Sequence, residues 1–157
     1  MADGADDSSL QIVQESLLNE GCIVEIISPK LGFVMSKNDE QIAVDKSFLT
    51  AESVLYDAEY VPGGTNSIAT LEAEADAVHF LNQAFKHCKP IAANAEALQV
   101  LESTYFYKKL PSKFTEETVL MEGVVISNDA PSLAKHFMEA IAQHRFWERE
   151  KSRKVPA

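Results

Sequence analysis

Residues 89–101 read Lys89-Pro90-Ile91-Ala92-Ala93-Asn94-Ala95-Glu96-Ala97-Leu98-Gln99-Val100-Leu101, and this stretch decides the fold. The short apolar run from Ile91 to Ala93 predicts a buried strand. After Asn94 the apolar residues recur at helical intervals, which predicts a helix through Ala97 and Leu101. The stretch is therefore a strand that runs through a tight turn into a helix. In open α/β sheets this junction lies at the carboxyl end of a strand, where ligands and nucleophiles are usually placed.

The turn of this junction, which we call the elbow, consists of Asn94, Ala95 and Glu96 and carries no hydroxyl or thiol. A nucleophile elbow requires Ser or Cys at its apex, so the sequence predicts an elbow without a catalytic residue. Asn94 tolerates left-handed backbone angles and suits a turn. Because no Gly lies between Ile91 and Leu101, the abrupt change from strand to helix predicts a strained backbone at Asn94 or Ala95.

Strands alternate with helices along the rest of the chain. Apolar runs predict strands at 22–28, 58–61, 91–93, 119–121 and 124–127. Two shorter runs, 33–36 and 41–44, flank a polar tip and predict a small β-hairpin. Helical spacing predicts helices around 10–18, 77–88, 97–101 and 133–141, a short helix at 51–56 and a broken helical segment at 66–74. This alternation predicts an α/β fold with a mostly parallel sheet covered on both faces.

Length and charge limit the classes of function. At 157 residues, 46% of them apolar, the chain is long enough for one domain. Such a domain buries about 70% of its unfolded surface. The formal net charge of −10 argues against a nucleic-acid or anionic-membrane partner, because both require a basic patch. Two short basic clusters are interpreted as solvated surface charge: Lys108, Lys109 and Lys113, and the tail residues Arg149, Lys151, Arg153 and Lys154.

Cysteine usage favours a reducing compartment, and we expect a cytoplasmic protein. Cys22 and Cys88 are the only cysteines and form no CxxC or metal-binding spacing. Each lies beside a predicted strand, where a free cysteine usually acts as a small buried hydrophobe. No run of about 18 apolar residues is present. Residues 1–7 (MADGADD) lack the basic and apolar regions of a signal peptide.

The histidines do not predict a metal site. They form two pairs, and the members of each pair are eight residues apart on a predicted helix, about 80° off one face. No carboxylate completes an HExxH pattern, so surface or helix-end positions are predicted. The four histidines are His79, His87, His136 and His144.

Two other candidate cofactor motifs are weak. Tyr105 and Tyr107 could suggest a haem-ligand tyrosine, but haem needs a dedicated apolar cavity, and packing under an irregular loop is predicted instead. Pro62-Gly63-Gly64 is no phosphate loop, since the chain has no GxGxxG or GxxxxGK(S/T) motif. A flavin or nucleotide carrier would rest on fold analogy alone.

Six segments in one order carry a resemblance to a known family. They resemble the C-terminal domain of large-subunit haem catalases, which is itself similar to flavodoxin-like proteins of the class I glutamine-amidotransferase and PfpI superfamily. The resemblance covers nearly the whole chain, and the ordered set is quite specific. The segments are Ile27–Gly32 (ISPKLG), Asp45–Ala51 (DKSFLTA), Tyr60–Gly64 (YVPGG), Asp76–Phe80 (DAVHF), Lys86–Ala93 (KHCKPIAA) and His144–Trp147 (HRFW).

This resemblance implies a fold and a parent protein. The fold would be a flavodoxin-like three-layer sandwich, with residues 1–157 as one domain. The parent would be a tetrameric catalase that decomposes hydrogen peroxide at haem in an upstream barrel, and this chain would itself bind no cofactor. The domain would contribute stability and assembly, and in some family members chaperone-like holding of unfolded clients.

The chain departs from the enzymatic branch of the superfamily at the elbow. PfpI-like hydrolases carry Cys there, usually followed by His, and the match places Ala95 and Glu96 at those positions. The acidic residue of those enzymes matches Ser9. Only Gly63 and Gly64, which in the enzymes lie by the oxyanion site, remain as vestiges. The resemblance therefore implies no catalytic residue. The alternative, a free-standing PfpI-like hydrolase or glyoxalase-type enzyme, is disfavoured by Ala95 and Ser9.

The resemblance also implies that the first strand is missing. Superfamily members begin with an apolar strand that runs into a turn like Ala2-Asp3-Gly4, but here Met1 directly precedes that turn. In the flavodoxin-like order the strand lies inside the sheet. We therefore expect an N-terminally truncated domain with a gap one strand wide between 22–28 and 58–61.

Overall fold

The elbow connects the second strand of a four-stranded sheet to a short helix in the computed structural model, which describes residues 1–110 and 119–151. The helices are α1 (Asp7–Asn19), α2 (Thr65–Ala73), α3 (Ala75–Lys86), α4 (Leu98–Glu102), α5 (Ala130–Ala142) and α6 (Glu148–Lys151). The strands are β1 (Ile27–Ser28), β2 (Gly32–Met35), β3 (Gln41–Val44), β4 (Lys46–Ser47), β5 (Glu59–Val61), β6 (Ile91–Asn94), β7 (Val119–Met121) and β8 (Val124–Ser127). Short 3-10 turns cover Ser53–Leu55, Ala95–Ala97 and Tyr107–Lys109.

The main sheet has the strand order β5-β6-β8-β7. Strands β5, β6 and β8 are parallel, and β7 pairs antiparallel with β8 at the edge. Every residue of β6 and β8 is buried, as expected for central strands covered on both faces. Two smaller ladders lie beside this sheet, the parallel pair β1-β4 and the hairpin β2-β3. The predicted hairpin and the mostly parallel sheet are thus confirmed.

Helices cover the sheet on two sides and make a three-layer sandwich. Helices α1 and α5 pack together on one side, where Val13 and Phe137 meet Ala92 and Val125 of the central strands. Helices α2, α3 and α4 form the other layer, and their core residues include Leu71, Leu81, Phe85 and Leu101. Neighbouring residues of a strand point to opposite faces, which is why Ala92 belongs to the first layer and Ile91 and Ala93 to the second.

The structure corrects three sequence predictions about local structure. The run 22–28 is a strand only at Ile27–Ser28, because a strand requires a hydrogen-bonded neighbour and the backbone of residues 23–25 has no hydrogen bond in the described part of the chain. The predicted helix at 51–56 is only the 3-10 turn Ser53–Leu55. The segment predicted to be broken, 66–74, is instead the continuous helix α2.

Arg149 is a further correction, because the sequence interpretation made it a solvated charge. Its side chain is buried, and its guanidinium stacks 4.2 Å from the ring centroid of Phe85. The guanidinium donates hydrogen bonds to the carbonyl oxygens of Lys89 (2.8 Å) and Glu122. A planar fork of donors suits converging carbonyl oxygens, which explains how this cation is accommodated in the interior. Lys108 and Lys109 are exposed as expected; Lys113, Arg153 and Lys154 lie outside the described residues, and so does the side chain of Lys151.

The expected gap beside the sheet is present. A cavity of about 630 Å³ separates residues 22–27 from residues 57–62, and we call this cavity the strand slot. Its walls come from both helical layers, including Leu17 of α1 and Leu81 of α3. Strand β5 pairs with β6 on one edge, and no described strand pairs with its other edge.

The described helices are all too short or too polar to cross a membrane.

Candidate functional site: a closed elbow at the end of the central strand

The elbow turns without strain, so the predicted backbone strain is wrong. Asn94 has φ −61° and ψ 147°, and Ala95 is absent from the residues with positive φ. The Asn94 side chain accepts a hydrogen bond from the Glu96 N–H at 3.1 Å and caps the turn that follows. Asn is among the best N-capping residues because its short side chain satisfies an otherwise unpaired amide. This side-chain cap, which the prediction of strain did not include, allows an abrupt turn at ordinary backbone angles.

Removing this cap should weaken the elbow. We expect Asn94→Ala to lower the free energy of unfolding by about 1–2 kcal/mol, because the Glu96 N–H loses its acceptor in a partly buried site. Asn94→Ser keeps a capping oxygen and serves as the matched control. Urea unfolding followed by circular dichroism measures both. Equal stability of Asn94→Ala and the parent chain would contradict the role of the cap.

Glu96 closes the elbow against the glycine pair. Its carboxylate accepts a hydrogen bond from the Gly64 N–H at 2.7 Å. A Cβ added to Gly63 would lie 3.0 Å from Glu96 Oε2 and 3.0 Å from Asn94 Cγ, so these groups are packed together. A hydrogen bond to a carboxylate is among the stronger kinds. The Gly64 N–H, the backbone donor of the glycine pair, therefore already has a partner within the chain.

Gly64 is also required by the N-terminal turn. Its φ is +108°, and a Cβ there would overlap the carbonyl oxygen of Gly4 and lie 2.9 Å from Ala5 Cα. The Asp6 N–H donates to the Gly63 carbonyl at 2.9 Å, which holds the start of α1 against the end of β5. Close packing against the N-terminal turn therefore explains the two glycines without a catalytic role.

Ser9, at the matched acidic position, lies in the first turn of α1. It is buried, and its hydroxyl donates to the Asp6 carbonyl at 3.3 Å and accepts from the Tyr60 hydroxyl at 3.3 Å. Burial raises the pKa of Tyr60 to about 12, so this phenol stays protonated at neutral pH. Ser9 thus bonds the N-cap and β5, and it forms no hydrogen bond with the elbow in the described part of the chain.

The charged groups near this edge of the sheet include two that sequence analysis did not select. Lys37, at the hairpin tip, forms an ion pair with Asp6 at 2.8 Å. The hydrogen bond to Asp6 raises the pKa of Lys37, and the charges of Asp7 and Glu96 act in the same direction. Partial burial would raise the pKa of Asp6, but hydrogen bonds from Lys37 and Ser9 lower it below its usual value. No local sequence signal joins the hairpin tip to α1, since the contact depends on the tertiary fold.

The histidines and cysteines do not assemble into a site. Within residues 1–110 and 119–151, no three His, Cys, Asp or Glu side chains are grouped in a way that could hold a metal ion. Three of the histidines lie on different segments: His79 on α3, His136 on α5 and His144 just after α5. His87 caps the end of α3, and Cys22 and Cys88 form no disulfide within the described residues.

Tyr105 and Tyr107 both form contacts within the chain. The Tyr105 hydroxyl donates to the Asn82 carbonyl at 3.4 Å, and its ring packs edge-on against Phe85 and Phe106. The Tyr107 hydroxyl donates to Glu102 at 3.0 Å. Neither ring lines the strand slot. The ring contacts of Tyr105 agree with the predicted aromatic packing.

Comparison with known proteins identifies the family. Residues 1–151 match the model of the C-terminal domain found in long catalases. The chain is 35% identical to Catalase HPII of Mycobacterium avium over 99% of its own length and 22% of that protein. It is 36% identical to Catalase-2 of Bacillus subtilis over 93% of its length and 20% of that protein. The chain thus spans about a fifth of the curated relatives that it matches.

Solved structures show the same fold at low sequence identity. A two-domain protein from Anabaena variabilis with DJ-1/ThiJ/PfpI-like and ferritin-like domains has a TM-score of 0.81 at 17% identity, over 90% of this chain and 46% of that one. DJ-1beta of Drosophila melanogaster has a TM-score of 0.77 at 20% identity, over 100% and 96%. These likenesses confirm the predicted flavodoxin-like fold. The chain belongs to the family of C-terminal domains of long catalases.

Proposed function

We propose that this chain is a non-catalytic domain that stabilises and helps to assemble the haem catalase of which it forms part. The parent enzyme would decompose hydrogen peroxide in a haem barrel, as the family resemblance implies, and would be a tetramer in the cytoplasm. Residues 1–157 would form one domain of that enzyme, without a cofactor of their own. The relatives support this proposal, because the catalases that the chain matches are about five times as long.

One observation carries the non-catalytic part of the proposal. The elbow holds Ala95 at its apex, and its backbone donor, the Gly64 N–H, is bonded to Glu96. Acyl transfer requires a nucleophile, a base that activates it and a donor free to bind the developing oxyanion. Ala95 has no nucleophilic group, so there is nothing for a base to activate, and the Gly64 N–H is already bonded to Glu96.

Exposed apolar side chains support a role in assembly. One group lies on and beside the β2-β3 hairpin, where Leu31 is 62% and Phe33 is 64% exposed. A second group follows β4 and includes Leu49, Val54 and Leu55. Apolar side chains that cluster on a surface usually mark a contact with another protein surface. In the proposed parent these surfaces would pack against the haem barrel or against neighbouring subunits.

Deleting the domain from the complete catalase tests its role. We expect the oxygen released per haem per second to stay within about twofold, because the haem barrel is unchanged. The thermal midpoint should fall by at least about 5 °C or the tetramer should dissociate, because the apolar surfaces lose their partners. Turnover per haem, calorimetry and analytical ultracentrifugation are the measurements. A large loss of turnover with unchanged stability and assembly would contradict the proposal.

Chaperone-like holding is a separate part of the proposal and has its own test. The isolated chain should suppress light scattering by a heat-labile client enzyme at equimolar concentration. A variant with Leu31→Ser and Phe33→Ser should suppress it less. Scattering identical to that of the client alone would remove this role.

Direct assays distinguish the domain from a free-standing enzyme. We expect the purified chain to show no catalase, peptidase or glyoxalase turnover above buffer, because the elbow lacks a nucleophile. The control carries Cys22→Ser and Cys88→Ser together. Turnover that survives both substitutions would favour the PfpI-like alternative, and turnover lost with Cys88→Ser alone would reveal a thiol site elsewhere.

A further inference from the structure

Three parts of the chain meet at a pocket beside the end of α3. The Phe146 N–H donates a hydrogen bond to the Cys88 carbonyl at 2.8 Å, which holds the segment after α5 against the end of α3. The Lys89 ammonium donates to the Ser53 carbonyl, which holds a 3-10 turn beside both of them. We call the space of about 250 Å³ between residues 86–89, residues 145–150 and Val54 the α3 pocket.

The α3 pocket is lined by cations, although the formal net charge of the chain is −10. The cations are Lys86, Lys89 and Arg145, and Glu150 supplies a carboxylate. Partial burial lowers the pKa of His87, and the charges of these three cations lower it further. Three positive charges therefore act on one small volume, which favours an anionic ligand.

The Lys86 ammonium and the His87 ring are available to a ligand. Within the described part of the chain, neither side chain forms a hydrogen bond or an ion pair. The Arg145 guanidinium is only partly engaged, since it lies 3.4 Å from the Asp57 carboxylate and donates to the His144 carbonyl at 2.8 Å. A guanidinium has several N–H donors, so others remain for a second carboxylate.

The end of α3 would normally oppose an anion, because a helix C-terminus carries partial negative charge. The buried guanidinium of Arg149 compensates for this charge. It donates hydrogen bonds to the carbonyl oxygens of Phe85 at 3.5 Å and Lys89 at 2.8 Å. The helix end therefore does not cancel the attraction of the lining cations for an anion.

Apolar side chains border the cationic groups. Trp147 is 51% and Val54 is 66% exposed, and both line the α3 pocket. Leu55 follows Val54 in the 3-10 turn and is 64% exposed. Exposed apolar groups beside cations fit a ligand in which a carboxylate adjoins an apolar group. The volume lies below the range of drug-sized ligand pockets, so it suits one side chain better than a cofactor.

We propose that the α3 pocket binds an acidic side chain of a partner polypeptide, an Asp or Glu that adjoins a large apolar residue. The carboxylate would accept hydrogen bonds from Lys86, His87 and Arg145, and the apolar neighbour would pack on Val54 and Trp147. A polypeptide is favoured over a free acid because the apolar surface continues from the pocket along the 3-10 turn. The proposal requires no haem barrel, so it is tested independently of the proposed function.

Trp147 fluorescence tests the proposal, because Trp147 is the only tryptophan of the chain and lines the pocket. The ligand is the blocked peptide acetyl-Leu-Asp-Leu amide. Its matched control, acetyl-Leu-Asn-Leu amide, has nearly the same shape without the charge. We expect saturable binding of the Asp peptide, at least about fivefold tighter than that of the Asn peptide. Raising the NaCl concentration from about 50 to about 500 mM should weaken it at least about threefold. Equal affinities for the two peptides would overturn the proposal.

Substitutions locate the binding site. Lys86→Gln removes a cation that has no bonded partner among the described residues, so the thermal midpoint should be unchanged. It should weaken binding of the Asp peptide at least about threefold. Val54→Ser should weaken both peptides, because each loses apolar contact. Lys30→Gln is the matched control, since Lys30 is exposed and does not line the pocket. An equal loss of affinity in Lys30→Gln and Lys86→Gln would overturn the proposal.

Small anions identify the source of the carboxylate. Acetate and inorganic phosphate should each bind at least about tenfold more weakly than the Asp peptide, because neither reaches the apolar border. Acetate that binds as tightly as the peptide would indicate a site for a free acid, and phosphate that binds more tightly would indicate a phosphate site. In both cases the proposed occupant is wrong. No change in the fluorescence of Trp147 or in its indole N–H resonance at about ten millimolar peptide would also overturn the proposal.

Discussion

Gly64→Ala is expected to lower the free energy of unfolding by more than about 3 kcal/mol. Two effects add at this position. The φ of +108° is one that residues with a side chain rarely adopt, and the new methyl group would overlap the Gly4 carbonyl oxygen. The backbone cannot yield without moving the start of α1 away from β5, because the Asp6 N–H is bonded to the Gly63 carbonyl.

Gly32→Ala is the matched control for this variant. Gly32 has φ +104° but nothing within 4 Å of an added Cβ, so only the backbone strain remains. We expect a loss of about 1–2 kcal/mol at Gly32. Chemical denaturation followed by far-ultraviolet circular dichroism measures both variants. Equal losses at the two glycines would mean that the close approach of Gly4 contributes nothing.

Glu59→Gln should change how stability depends on pH. Glu59 Oε1 accepts a hydrogen bond from Ser53 at 2.7 Å, and Oε2 has no hydrogen-bond partner among the described residues. Burial raises the pKa of Glu59 to about 8, against the opposing effects of Ser53 and the Lys89 charge. The variant should match the parent chain near pH 5, where Glu59 is protonated. At pH 8.5 it should be more stable by about 2–4 kcal/mol.

The sign of this effect follows from proton binding. The folded chain holds the Glu59 proton more tightly than the unfolded chain does. Protonated Glu59 therefore stabilises the folded chain at low pH, and this contribution is lost as the pH rises from about 4.5 to about 8. The Met1 amino group acts in the opposite direction. Burial lowers its pKa to about 5, so its contribution to stability increases as the pH rises from 5 to 8. The stability of Glu59→Gln should therefore rise more steeply with pH than that of the parent chain.

Thermal or urea unfolding at pH 5, 6, 7, 8 and 8.5 measures the free energy of unfolding of both chains. Subtracting the value of the parent chain from that of Glu59→Gln at each pH cancels the contributions of the other titrating groups. Glu52→Gln removes the same charge at an exposed position and should leave the profile of the parent chain unchanged. A constant difference between Glu59→Gln and the parent chain across this range would contradict the burial of an ionisable Glu59.

Local patterns predicted the elements that depend on nearby residues. The apolar run at Ile91 and the helical spacing after Asn94 placed β6 and α4 correctly, because each signal lies within one element. The polar tip of the hairpin was also predicted correctly. The resemblance supplied the layer arrangement and the gap beside the sheet.

Long-range contacts account for what the sequence did not predict. Residues 22–26 have the composition of a strand, but composition does not reveal whether another strand lies alongside to form the hydrogen bonds of a sheet. Arg149 lies in a charged tail, and its carbonyl partners Lys89 and Glu122 are 60 and 27 positions away. The bond between Glu96 and Gly64 spans 32 positions, so no local pattern marks it.

The central claim is that the chain's own Glu96 closes the elbow. The nuclear magnetic resonance signal of the Gly64 amide tests it most directly. We predict that this amide exchanges slowly with solvent, because the Glu96 carboxylate accepts its hydrogen bond. Glu96→Ala should speed the exchange of the Gly64 amide by at least about tenfold. A Gly64 amide that exchanges freely in the parent chain, or at the same rate in Glu96→Ala, would contradict the claim.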